Sequence, residues 1–324
     1  MSLIERAVGR LAGSDEQQSA SQPGSSPGEK TAAPAHSTIE AFTERLSREE
    51  SGRSVTPVLE AAPAVKPAGP VHVELEPLRS RGFVMPDGEQ SRIAQEFRVI
   101  KRPLIANALG KGAAPVRNGK RIMVTSAFPG EGKSFVAINL ALSIAAERDH
   151  KVLLVDADVA RPSIPRVLGF EAGAGIMDWL IDGNLDIATL TLQTDVEKLA
   201  IIPAGRRHEQ ATELLASASM SRLLDQISAR FPDRIVIFDS PPLLVTTEAR
   251  VLAQYMGQIV VVVEAGQTPR SAVNEALSTI DGTAEVIGML LNKTTGTSSG
   301  GYGGYGGYYG YGGYGYGHGK NKVA

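Results

Sequence analysis

The stretch Ser126-Ala127-Phe128-Pro129-Gly130-Glu131-Gly132-Lys133-Ser134 decides the fold. It is preceded by Arg121 to Ser126, an apolar run long enough for one buried strand, and followed by an apolar helical pattern from Ser134 to Glu147. A strand, a glycine loop ending in Lys-Ser, and a helix form a phosphate-binding loop in its required context. Gly130 and Gly132 let the backbone aim its N–H groups at phosphate oxygens, and the helix adds its positive N-terminus. Lys133 supplies a point charge for the β- and γ-phosphates, and the Ser134 hydroxyl is a Mg²⁺ ligand. The predicted nucleotide contacts are Ala127, Phe128, Pro129, Gly130, Glu131, Gly132, Lys133, Ser134 and Phe135. A tight glycine turn that binds nothing is the competing reading, and Lys-Ser at this offset argues against it. The first glycine of the general pattern is replaced by Ala127.

Working outward, two further runs end in acids. Val152 to Val155 leads into Asp156-Ala157-Asp158, and Arg234 to Phe238 leads into Asp239-Ser240-Pro241-Pro242. Residues two apart on a strand share a face, so Asp156 and Asp158 can both face the phosphates. Asp239 is placed to hold Mg²⁺ through water. A lone aspartate at a strand end is usually a cap or turn residue. Three beside a phosphate loop point to metal and phosphoryl chemistry, with Ser134, Asp158 and Asp239 as the metal set and Lys133, Asp156 and Asp158 as the catalytic set. Asn292, closing the last strand, either reads the adenine or caps the strand.

The remaining strand-like runs are Lys151 to Val155, Leu199 to Pro203, Gly257 to Val263 and Val286 to Leu291. Helical patterns at Ala211 to Arg230 and Pro269 to Ile280 lie between them, and Ser91 to Leu109 forms an approach helix that Pro103 should end or kink. Continuous apolar strands alternating with helices predict an α/β fold, a mostly parallel sheet with helices on both faces.

This folded region is expected over 74–296. Before it, 1–13 carries Leu3, Ile4, Val8 and Leu11 at helical spacing, and can be a short amphipathic helix or a solvated terminus. Residues 14–73 are rich in Ser, Ala, Pro, Gly and Glu with almost no aromatics, a composition that predicts a disordered linker. The last segment, 297–324, is a Gly/Tyr-rich tail predicted to be flexible. It holds seven of the eight tyrosines: Tyr302, Tyr305, Tyr308, Tyr309, Tyr311, Tyr314 and Tyr316.

The net charge of −2 gives no global pull toward nucleic acid. With no cysteine, disulfides and thiolate chemistry are excluded, which fits a reducing cytoplasm. No apolar run reaches the roughly 18–20 residues that span a bilayer. The expectation is a cytoplasmic protein that meets the membrane only through a partner.

The three acidic and phosphate motifs, SAFPGEGKS (Ser126 to Ser134), LLVDADVARP (Leu153 to Pro162) and IVIFDSPP (Ile235 to Pro242), resemble the three Walker motifs of the bacterial tyrosine kinases in order and spacing. PAGRRHEQATELL (Pro203 to Leu215) resembles that family's PAG…ELL loop, and the terminal tyrosine cluster completes the pattern. The resemblance runs from about Ser91 to the end and is strongest to the cytoplasmic, separate-chain form of exopolysaccharide operons, the exosortase-associated type.

The resemblance implies a MinD-like P-loop NTPase fold, ATP and Mg²⁺. It implies autophosphorylation of the tail tyrosines between subunits of a homo-oligomeric ring. It also implies activation by an integral-membrane polysaccharide chain-length determinant at the inner face of the membrane. Asp156 and Asp158 carry over as the pair that aids Mg²⁺ binding and accepts the tyrosine proton, either one acting as base. Two departures bear on mechanism. The family's arginine after the second aspartate stands one place later, as Arg161 behind Ala160, and its ring motif Glu-x-x-Arg-x-x-Arg reads Gln95, Arg98 and Lys101. The alternative is a partitioning-type ATPase that dimerises on ATP. Such proteins place a lysine where this chain has Phe128.

Overall fold

A computed structural model describes residues 70–87 and 91–294. The expectations for 1–13, for 14–69 and for the tyrosine tail lie outside the described residues.

Seven strands form one sheet in the order β3-β4-β2-β5-β1-β6-β7. They are β1 (Arg121–Ser126), β2 (Lys151–Asp156), β3 (Leu192–Gln193), β4 (Leu199–Ile202), β5 (Arg234–Asp239), β6 (Gln258–Glu264) and β7 (Val286–Asn292). All pairings are parallel except β3 with β4. β3 is two residues long, too short to show a periodicity, and the sequence gives no sign of it.

Side chains of each strand alternate between two apolar layers, as the two-residue repeat requires. Leu153, Val155, Val236, Phe238, Ile259 and Val261 enter one layer, while Val152, Leu154, Ile235, Ile237, Val260 and Val262 enter the other. Burial on both faces explains why the strands read as unbroken apolar runs. Helices cover the second layer: α1 (Leu75–Ser80), α2 (Arg92–Ala108), α3 (Lys133–Ala145) and α4 (Ile164–Leu168). The first layer lies under α5 (Ile176–Ile181), α6 (Ile187–Leu190), α7 (Ala211–Leu215), α8 (Ala218–Arg230), α9 (Glu248–Ala253) and α10 (Arg270–Thr279).

α3, which opens at the phosphate loop, is buried without interruption from Val136 to Ala145. Such a helix needs cover on its outer side, and α2 supplies it with Ala94, Phe97, Leu104 and Ala108. A strap at Phe83, Val84 and Met85 closes the same face. The Val84 N–H donates to Asn139 Oδ1 at 2.6 Å, and the Phe83 and Phe135 rings sit 4.8 Å apart.

Two expectations need correction, while the approach helix expected over Ser91 to Leu109 forms as α2 and runs through Pro103 to Ala108. The carbonyl that loses its N–H partner there is that of Val99, four residues back. Val99 is 73% exposed, so water can serve the carbonyl while packing on α3 holds the helix together. The single helix expected over Ala211 to Arg230 is two, because Ser217 caps a new start by accepting from the Ser219 N–H. The folded region also begins earlier than residue 74. Val71 pairs beside Thr194, its N–H donating to the Gln193 carbonyl at 2.7 Å, and Val73 is fully buried.

Lys101, the last position of the ring motif, is turned inward. It donates to the Ser143 carbonyl at 2.5 Å and pairs with Glu147 at 2.7 Å, leaving 4% of the residue exposed. The i, i+3, i+4 packing of α2 on α3 puts this position on the buried stripe. Its charge is spent within the chain, and Gln95 and Arg98 are the motif positions left at the surface. Lys101→Ala should cost about 1–3 kcal/mol by stranding the Ser143 carbonyl and a partly buried carboxylate. Lys101→Met should cost less because the apolar stem stays packed. Urea denaturation of the two variants measures both.

Candidate active site

The phosphate loop rises from the carboxyl end of β1 in the middle of the sheet, with β5 and β2 on one side and β6 and β7 on the other. In open parallel sheets this is where ligands bind. Gly130 and Gly132 have φ of 87° and 99°, a region that L side chains avoid. A Cβ on Gly132 would also collide with the Asn292 amide. Ala127, by contrast, is buried with ordinary backbone angles, so alanine serves where the general pattern has glycine. No side chain caps the start of α3 at Gly132, so the helix N-terminus faces the loop's interior.

Phe128 packs against the first apolar layer. It takes the place where partitioning ATPases hold a charge for their partner. The Glu131 side chain turns into the protein and accepts from the Phe128 N–H at 2.7 Å. Only its backbone belongs to the phosphate cradle.

The predicted acids converge on Lys133 from two strands. Lys133 Nζ lies 2.7 Å from Asp158 Oδ2, with 14% and 5% of the two side chains exposed. Burial by itself would lower the lysine pKa, but Asp239, Asp158 and Asp156 outweigh it and hold the pKa above its ordinary value. Asp156 ends β2, and its Oδ2 accepts from the N–H groups of Ser163 and Ile164 at 2.9 and 3.0 Å, while Oδ1 has no partner. Burial, with the Asp158 charge, pushes Asp156 up to about 6. Asp239 is wholly buried and is pushed up to about 7 by desolvation, against the pull of Lys133. The Ser134 hydroxyl is near enough to favour the charged form, yet neither Asp239 oxygen makes a hydrogen bond of good geometry.

Unpartnered buried carboxylate oxygens beside a lysine and an uncapped helix start fit a nucleotide phosphate with its cation. Lys133, Ser134 and the loop N–H groups would hold the phosphates, and Ser134 and Asp239 would hold Mg²⁺. Among the described residues no three His, Asp or Glu side chains are grouped to bind a metal by themselves. Arg161 is tied to Asp158 by its backbone N–H at 3.0 Å, and its side chain is exposed.

On the other side of the loop a cavity of about 1050 Å³ is lined by Gly132, Phe135, Ile100, Leu291 and Asn292. It brings the predicted Phe135 and Asn292 together on the side of the loop away from the acids. Asn292 also donates to the Glu131 carbonyl at 2.8 Å. Thr268, in the turn after β6, donates its hydroxyl to Glu131 Oε1. The sequence offers no signal for Thr268, because a threonine in a turn is ordinary.

Residues 117–292 match the family model ParA, described as NUBPL iron-transfer P-loop NTPase. The tyrosine-protein kinase YwqD of Bacillus subtilis (strain 168) is 31% identical over 202 residues, 61% of this chain and 80% of YwqD. The tyrosine-protein kinase ptk of Acinetobacter johnsonii is 32% identical over 55% of this chain and 24% of its own length. The succinoglycan biosynthesis transport protein ExoP of Rhizobium meliloti (strain 1021) is 32% identical over 70% of this chain and 28% of its own. The chain thus spans about a quarter of ptk and of ExoP. Among solved structures, the chimerical protein CapA2B2 superposes with a TM-score of 0.56 at 25% identity, covering 68% of this chain and 98% of that one. With the phosphate loop, the paired aspartates and Asp239 in one cluster, these matches establish that the chain belongs to the ParA-type P-loop NTPases and, within them, to the bacterial tyrosine-protein kinases.

Proposed function

We propose that this chain is a protein-tyrosine autokinase. It transfers the γ-phosphoryl of ATP to tyrosines of its own terminal cluster, Tyr302 to Tyr316, on a neighbouring copy, and so regulates exopolysaccharide synthesis. The observation that carries the reading is Lys133, held by Asp158 beside two carboxylates with free oxygens. The names of YwqD and ptk support the tyrosine acceptor, and that of ExoP supports the polysaccharide.

ATP supplies the phosphoryl group and Mg²⁺ neutralises its charge. The chain's own residues position and exchange protons. The N–H groups from Gly130 to Ser134 and the Lys133 ammonium bind and orient the phosphates. The tyrosine Oη–H gives its proton to the Asp156/Asp158 pair as the Oη–P bond forms and the bond to the ADP oxygen breaks. A carboxylate near pH 6 accepts a proton more readily than an ordinary aspartate does, which suits Asp156. A glycine-rich segment lets several tyrosines reach one site in turn.

We further propose that the chain is a homo-oligomer recruited to the inner face of the membrane by an integral-membrane chain-length determinant, its activator. Among the described residues no helix is long and apolar enough to cross a membrane. With Lys101 turned inward, a ring built as in the family would depend on Arg98 and other surface positions of α2.

Incubation with ATP and Mg²⁺, with and without the cytoplasmic peptide of such a partner, tests the reading by mass spectrometry. Phosphotyrosine within Tyr302 to Tyr316, absent from Lys133→Met, is the expected result. ATP hydrolysis with an unmodified cluster would instead indicate a partitioning-type ATPase.

Asp239 gives a pH signature. Its folded pKa lies above the unfolded value, so the folded state holds the proton more tightly. Its contribution to stability is greatest below about pH 4 and falls as pH rises toward and through 7. Nucleotide-free Asp239→Asn should therefore be more stable than the wild type at pH 8, on the order of 1–3 kcal/mol, with the gap closing near pH 4. The variant should also lose most of the stabilisation by Mg²⁺-ATP. Thermal denaturation across pH, with and without Mg²⁺-ATP, checks both.

A further inference from the structure

Glu131 stands between the two left-handed glycines of the phosphate loop and is 3% exposed. A carboxylate is costly to bury unless hydrogen bonds replace its water. Here both oxygens are engaged. Oε2 accepts from the Phe128 N–H at 2.7 Å, and Oε1 accepts from the Thr268 hydroxyl. The Thr268 oxygen accepts in turn from the Glu264 N–H at 3.1 Å, at the end of β6. The Glu131 carbonyl takes the Asn292 amide at 2.8 Å, at the end of β7. The two strand ends are themselves joined, the Ala265 N–H donating to the Asn292 carbonyl at 2.9 Å. One residue of the loop is therefore tied to the loop's own entry at Phe128 and to the ends of two strands, β6 and β7.

We propose that Glu131 and Thr268 are positioning residues for the nucleotide, a buried carboxylate–hydroxyl tie that holds the phosphate loop in its binding shape before the nucleotide arrives. The inference rests on the ATP reading of this site. A loop with glycines on both sides of one residue has much conformational freedom to lose. If the loop were untied, that loss would fall on binding and weaken it. With the tie in place the loop is ordered in the free protein. Thr268 touches no phosphate-cradle atom in its hydrogen bonds. It reaches the loop only through the Glu131 carboxylate, which makes it the cleaner position to alter.

The signature follows from the role. A tie that orders the loop in the free protein serves ground state and transition state alike, so its loss raises KM for ATP and leaves kcat. A residue needed only for folding would instead move both constants through the fraction of folded protein.

The test uses the full chain, with fluorescent mant-ATP and Mg²⁺ for affinity and thermal denaturation without nucleotide for stability. Thr268→Val should raise Kd about tenfold when measured at a temperature where the variant stays folded, with kcat for tyrosine phosphorylation within about twofold. Stranding the buried Glu131 oxygen should also lower the nucleotide-free thermal midpoint by a few degrees. Thr268→Ala, which also drops the hydroxyl but frees space, should weaken binding to the same extent. Thr268→Ser, which keeps the hydroxyl, should bind as the wild type does. Wild-type affinity in the Val and Ala variants would overturn the proposal. So would a loss that serine does not restore, or one that vanishes once the folded fraction is accounted for. A wild-type chain that fails to bind mant-ATP would overturn the nucleotide reading, and the tie with it. Binding without tyrosine phosphorylation would overturn the kinase reading alone and leave the affinity arm of the test standing.

Discussion

Lys133 is a nearly buried cation whose compensating charge comes from residues 23 to 106 positions away in sequence. The lysine sits at the start of α3, and its acids sit at and beyond the carboxyl ends of β2 and β5. They meet only if β1, β5 and β2 lie side by side and parallel, so that all three carboxyl ends come to one edge. The sheet order is thus also an electrostatic arrangement. Removing a buried ion's partners is among the more costly changes a protein can suffer. Here the acids outnumber the lysine, and the surplus negative charge is what a cation and the loop's N–H groups can use. Asp239 and Asp156 hold raised pKa values because burial works against their ionisation. Raised carboxylate pKa values gathered round one lysine mark this as a candidate functional site.

Much of this was legible in the sequence because the signals are local. Six of the seven strands follow apolar runs, and β1 begins and ends where its run does. The phosphate loop is a contiguous pattern with its own physics, and the acids announce themselves as polar residues ending apolar strands. What could not be read depends on contacts between distant segments. The span of α2 was legible in its periodicity, but its continuation past Pro103 rests on its packing against α3. Lys101 resembled a surface charge in a motif but lies on the buried stripe. The break at Ser217 turned on a single cap. Glu131 was legible as part of the loop but not as its tether, since the other end of that contact lies 137 residues on.

The substitutions that set this loop apart also have local causes. Ala127 replaces a glycine without strain because its backbone never enters the left-handed region. Phe128 rests a half-buried aromatic ring against the first apolar layer, so the loop's entry is anchored by packing rather than by a charge offered to a second subunit. The two sides of the loop are correspondingly different in character. The β5 side is acidic and buried, and the β6–β7 side opens on an apolar cavity.

The enclosure of α3 has a mechanical meaning. Thirteen residues at about 1.5 Å each make a rod of about 20 Å. Sheet, strap and α2 surround it, so it has little room to bend or fray. Its first turn carries Lys133 and Ser134. Its far end is where Ser143 and Glu147 hold Lys101 of α2. The phosphate site and a helix at the outside of the molecule are therefore joined through one enclosed element.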